Sequence, residues 1–194
     1  MTKNYPNNNF IRNFIPKNKL TAFLGVCLLL LFSVGQAQTT FTGNSGSIPE
    51  IGSFQSNAIS TLSGTFGQDY VITNVKININ HQRNSDLRIV LFAPDGITNM
   101  ILSAYNGGSS ANYINTQFEF GGDDITLATG PFAGTYMPED GSFIDVFNGV
   151  NINGNWKLII FDETTGFSGT LNNYTITFDA PPTCLWPINV IASP

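Results

Sequence analysis

Apolar and polar positions alternate most regularly over residues 71–96, VITNVKININHQRNSDLRIVLFAPDG. Val71, Val75, Ile77 and Ile79 fall on one face, and Asn74, Lys76, Asn78 and Asn80 on the other. A period of two predicts a strand with one buried face. Leu87, Ile89 and Leu91 repeat the pattern, and Ala93-Pro94-Asp95-Gly96 predicts a turn. The two segments read as a hairpin, with His81 closing the first strand and Asp86 opening the second.

Further strands are predicted over residues 58–64, 99–104, 114–120, 156–161 and 174–178. In the third of these, Ile114, Thr116, Phe118 and Phe120 are expected on one face, before Gly121-Gly122-Asp123-Asp124 breaks the pattern. Residues 129–154 have no strong period but are rich in Gly, Pro and aromatics. They predict a long folded connection pinned to the core by Phe132, Tyr136, Phe143 and Phe147. Short strands at this spacing, without helical periodicity, predict an all-β, jelly-roll-like β-sandwich.

Composition agrees: charged residues make up only 11% of the chain, and Gly, Asn, Thr, Ser and Phe are abundant. Residues 1–38 predict a signal peptide. Lys3, Arg12, Lys17 and Lys19 form a basic region, residues 20–34 an apolar run, and Gly35-Gln36-Ala37 a cleavage site before Gln38. The run is short for a membrane span, which needs about 20 residues, so export to the medium or cell surface of a bacterial-type cell is expected. Residues 39–46 read as a flexible lead-in, 47–179 as the folded domain, and 180–194 as a linker with the truncated start of a further module. In that last stretch Pro187-x-Asn189-Val190 resembles the first strand of a fibronectin type III repeat.

Four basic residues leave with the signal and four stay with all thirteen acidic ones, giving a mature net charge of −9. Such a balance excludes a nucleic-acid partner, which would require phosphate neutralisation. Cys184 alone would remain, so no internal disulfide can form. His81 is the only candidate base, and no Gly-x-Ser-x-Gly elbow accompanies it, so no catalytic triad is expected. The acidic pairs Asp123-Asp124, Glu139-Asp140 and Asp162-Glu163 fall in loops or at strand ends. There Asp123, Asp124 and Asp162 are candidate ligands for calcium, which takes hard oxygen donors. Tyr105, Tyr113 and Tyr136 are candidate stacking rings for a carbohydrate.

The ordered set of signals resembles the P domain, or Homo B domain, of kexin- and furin-like proprotein convertases and secreted bacterial subtilisin-like proteases. Its features here are Ile48-Pro49, the strand ending in His81, Asp86-Leu87-x-Ile89-x-Leu91 and Pro94-x-Gly96. Pro131-Phe132-x-Gly134-x-Tyr136-x-Pro138-Glu139, Phe147-Asn148-Gly149 and Gly154-x-Trp156-x-Leu158 follow. Asp162 and Gly169-Thr170-Leu171, leading into Tyr174-x-Ile176-x-Phe178, complete the set. The resemblance spans residues 47–179 and makes His81, Asp86, Pro94, Gly96, Gly154, Trp156 and Gly169 structural signature positions. Ser85 replaces the family's usual Gly and Ile97 its common Thr. Phe167 stands where bacterial members often carry Asp, which weakens any calcium site in that turn. The resemblance implies a non-catalytic accessory domain that stabilises or contacts a neighbouring domain, possessing no protease activity of its own. A carbohydrate-binding or surface-adhesion module on the same scaffold is the alternative.

Overall fold

The computed structural model describes residues 38–182. Most of the predicted signal peptide and nearly all of the predicted linker and further module therefore lie outside the described residues. The all-β, jelly-roll-like sandwich is the architecture observed, and among the described residues no helix is long and apolar enough to cross a membrane.

One sheet contains β1 (Thr39–Thr42), β10 (Gly169–Asp179), β4 (Val71–Asn80), β7 (Tyr113–Asp124) and β8 (Thr135–Met137) in that order, with β2 (Gly46–Ile48) also paired to β10. We call it sheet A. Sheet B has the order β3 (Gly52–Ser60), β9 (Gly154–Asp162), β5 (Leu87–Phe92) and β6 (Asn99–Ala104). All pairings are antiparallel except β7 with β8.

The segment expected as a hairpin is instead a crossing between sheets. β4 pairs with β10 and β7, and β5 with β6 and β9. Each strand has one fully apolar face, and two such faces bury more surface when they oppose one another across a core than when they lie side by side. Ile77 and Ile79 from β4 and Leu87, Ile89 and Leu91 from β5 are all fully buried in that common core. The crossing is made by residues 81–86, which end in a 3-10 turn, Asn84–Asp86.

Trp156 fills the centre, its Nε1 donating to the carbonyl of Ile152 at 3.1 Å. Phe147, Phe178 and Phe66 surround it at ring-centroid distances of 5.1, 5.5 and 6.3 Å. Tyr113, Phe132 and Tyr136 form a second aromatic group, with centroids 4.9 and 5.5 Å apart. The four aromatics expected to pin residues 129–154 are buried. That connection also holds β8 and a short helix, α1 (Phe143–Phe147), neither evident from periodicity, with Ser142 as the N-cap.

Bulges correct two expected faces. Between Ile77↔Thr116 and Ile79↔Tyr113, β7 has one extra residue, and Asn115 adopts φ +50°. Tyr113 is consequently buried and Ile114 turned outward. Between Asn74↔Thr177 and Ile72↔Phe178 the extra residue is on β4, so Ile72 rather than Val71 enters the core. Phe120 is also exposed rather than buried, because past Phe118 β7 has left β4 and pairs only with β8. Finally, residues 39–46, expected as a flexible lead-in, include β1, which pairs with β10 from Thr39↔Phe178 to Thr42↔Thr175 and packs Phe41 edge-on against Phe178.

Candidate functional site

The inter-sheet crossing concentrates the buried polar chemistry of the molecule. His81, Asn84 and Asp86 from the crossing meet Asp162 from the end of β9, and all four are buried. His81 Nε2 lies 3.0 Å from Asp162 Oδ2, and His81 Nδ1 lies 2.9 Å from the carbonyl of Arg83. Arg83 Nε donates to Asp86 Oδ1 at 2.5 Å, and its guanidinium covers the Phe167 ring at 5.2 Å. Asn112 accepts from the His81 backbone N–H through its side chain and donates to the His81 carbonyl through its own N–H, both at 3.0 Å. Thus the turn that leaves β4 and the end of β9 are tied to the His81 ring, and the loop before β7 to the His81 backbone.

His81, Asp86 and Asp162 offer ligand atoms within 4.8 Å of one another, the one group of this kind among the described residues. Asp86 Oδ2 is buried without a hydrogen-bond partner. The group is nevertheless a poor fit to calcium, which takes about 6–8 oxygen ligands. One of its donors is an imidazole nitrogen, and Asp162 Oδ2 and Asp86 Oδ1 already serve His81 and Arg83. Arg83 brings positive charge to the place where a cation would otherwise neutralise the acids. As a catalytic centre the group lacks a nucleophile: among the described residues the His81 ring is hydrogen-bonded to no hydroxyl or thiol.

The acids singled out from the sequence are not brought together. Asp162 is buried in sheet B, whereas Asp123 and Asp124 are exposed at the end of β7 in sheet A, where Asp124 Oδ1 accepts from Thr126 Oγ1 at 2.7 Å. The Thr126 hydroxyl and then its backbone N–H hold the Asp124 carboxyl below its ordinary range. Of the candidate stacking tyrosines, Tyr113 and Tyr136 are buried, and burial pushes the Tyr113 hydroxyl well above its usual range. Tyr105 is exposed, but its hydroxyl is hydrogen-bonded to Glu163. Glu163 also accepts from Arg88 Nη2 at 2.8 Å, and Arg88 first, then Tyr105, holds its carboxyl below the ordinary range.

Three glycines among the positions named from the resemblance sit where a side chain would be strained or crowded. Gly96 takes φ +72° in the β5–β6 turn, and Gly154 takes φ +122° with its α-carbon facing Pro94, where a Cβ would stand 3.0 Å from Pro94 Cβ. A Cβ on Gly169 would come within 2.6 Å of His81 Cδ2 and 2.7 Å of the Asn80 carbonyl, so only glycine lets β10 pass this close to the crossing.

A second feature escaped the sequence reading. The outer face of sheet B is apolar at its middle: Ile159, Val90 and Ile101 form a row across β9, β5 and β6. On either side, Phe161 lies under Arg88 at 4.1 Å and Phe92 under Lys157 at 6.0 Å. The signal was present in Ile89-Val90-Leu91-Phe92 and Leu158-Ile159-Ile160-Phe161, whose unbroken apolar runs mark strands with two apolar faces. The outer face of sheet A is different in kind, with Thr40, Thr175, Thr177, Asn74, Lys76 and Gln117 in register.

A family model described as the proprotein convertase P-domain matches residues 72–178, more than half of the chain. Among solved structures, the crystal structure of the Aeromonas sobria serine protease in complex with its chaperone (ORF2) is similar at 17% identity and a TM-score of 0.46. That match covers 80% of this chain and 29% of the other. The Aeromonas sobria serine protease alone gives 17% identity, a TM-score of 0.45 and coverage of 79% and 29%. The chain therefore spans less than a third of the length of either. No curated protein matches it. By the family match, this chain belongs to the proprotein convertase P-domain family.

Proposed function

We propose that the chain is an exported, non-catalytic P domain whose outer sheet B face docks on a neighbouring domain, of the subtilisin-like serine protease class, and stabilises it. The contrast between the two outer faces carries this reading. Sheet A turns hydroxyls and amides to solvent, whereas sheet B leaves Ile159 and Ile101 half-buried on its outer side, with Val90 covered between them, flanked by two aromatic–cation pairs. Aromatic and Arg side chains around an apolar centre are the composition of interface hot spots. Arg88 and Lys157, two of the four cations after residue 38, both lie here; Arg88 is already paired with Glu163, so Lys157 is the cation that suits a partner carboxylate. The alternative, a carbohydrate-binding or adhesion module, is less supported, since two of its three candidate rings are in the core.

The test is binding between the chain beginning at Gln38 and a subtilisin-like catalytic domain secreted by the same cell, read by calorimetry and by thermal unfolding of the catalytic domain. The wild-type chain is expected to bind and to raise the unfolding temperature of the catalytic domain. Ile159→Lys and Arg88→Glu, both on the outer face, are expected to abolish both effects. Binding that survives both substitutions would overturn the docking face. Cleavage of casein or a dibasic peptide by the chain alone at enzyme-like rates would overturn the non-catalytic reading.

A further inference from the structure

A groove of about 490 Å³ opens at the end of β4 opposite the crossing, between the start of β4, the second half of β7 and the beginning of α1. Its apolar wall includes Val71, Phe120 and Ile144, and Phe120 is 80% exposed there. Glu119, a charged group at the same groove, is engaged by Asn74 Nδ2 at 2.5 Å. The chain leaves β10 at Asp179, and Pro181 and Pro182 themselves form part of the groove wall. Residues 183–188 follow directly in sequence. They read Thr183-Cys184-Leu185-Trp186-Pro187-Ile188, and no charged residue occurs from Ala180 to Pro194.

We propose that residues 185–188 of the same chain occupy this groove, with Trp186 packed against Phe120. Trp186 is the fourth residue after Pro182, a reach of at most about 14 Å. A tether this short holds the segment at an effective concentration of about millimolar, so weak affinity suffices for high occupancy. The proline pair has fixed φ angles, and its anchoring in the wall restricts the directions in which the segment can leave. An uncharged Leu-Trp-Pro-Ile stretch suits a wall of aliphatic and aromatic carbon better than it suits water. The proposal is independent of the sheet B face, since the two surfaces share no residue.

The experiment uses the chain beginning at Gln38 and running to Pro194. Trp156 is fully buried, so the difference between wild type and Trp186→Phe isolates the emission of Trp186. That emission is expected to be blue-shifted and protected from acrylamide. Phe120→Lys and, separately, Ile144→Lys are expected to raise its quenching several-fold while leaving the Trp156 signal unchanged. A Trp186 quenched in the wild type as readily as N-acetyltryptophanamide would overturn the proposal. Protection that grows with protein concentration, together with a dimer mass in sedimentation, would also overturn it by assigning the groove to a second copy.

Discussion

His81 and Asp162 are buried together, each the other's nearest ionisable partner at 3.0 Å, with Asp86 and Arg83 adjoining. Burial of such groups costs free energy unless every lone pair and proton is matched, and the Asp86 Oδ2 atom left unmatched shows that the matching is incomplete. The compensation is specificity of position: the His81 ring ties the crossing to β9, and the His81 backbone holds the loop before β7. Asp162→Ala, which leaves His81 without its acid, is expected to cost about 3–5 kcal/mol. His81→Ala should cost a similar amount, and the double variant less than the sum, with a coupling of about 0.5–3 kcal/mol. Urea unfolding of the three variants measures this. Additive losses would show that the two side chains contribute separately.

At the scale of elements, a strand pair expected as a hairpin became the bridge between sheets, and the crossing set the demands on its neighbours. β10 passes His81 so closely that its first residue has no space for a side chain. Gly169→Ala would force a methyl group against the His81 ring and against the backbone carbonyl of Asn80, which belongs to the β4–β10 ladder. Overpacking of this kind costs about 1–3 kcal/mol, and the loss is expected as a lowered denaturation midpoint without change in the slope against denaturant. An unchanged midpoint would show that the crossing yields freely. The open edge of β6 is likewise managed locally: Glu139 and Asp140 accept from the N–H groups of Ala104 and Ile101 at 2.8 and 2.7 Å, blocking strand addition there.

At the scale of the whole molecule, the sandwich presents one polar face, one face with an apolar centre, and a groove at the point where the chain leaves it. The fold alone assigns no chemistry. Calcium belongs at this scale too, because its ligands would have to converge from several loops. The candidate acids lie in different sheets, and Asp162 and Asp124 already serve protein donors. Thermal unfolding in calcium and in chelator is therefore expected to give coincident curves. A site filled at a hundredfold excess over its Kd would add about 2.7 kcal/mol, and a separation of several degrees would reveal one.

Local pattern carried the sequence a long way. The period-two faces of β4 and β5, the turn at Pro94-Asp95-Gly96 and the anchoring aromatics Phe132, Tyr136, Phe143 and Phe147 were all legible, because burial of one strand face imposes its own periodicity. The order of short motifs identified the family. His81 and Asp86 were legible as members of that order, but their partners were not. Arg83 stands three residues before Asp86, whereas Asp162 is 81 residues from His81 in sequence, and periodicity says nothing about which distant strand end a side chain will meet. The bulges at Asn115 and Thr73 were also silent, since each arises from register against a neighbouring strand. Most consequential was the placement of β4 and β5 in opposite sheets. Alternation shows that a strand has a face to hide, but only the packing of the whole chain decides what will cover it.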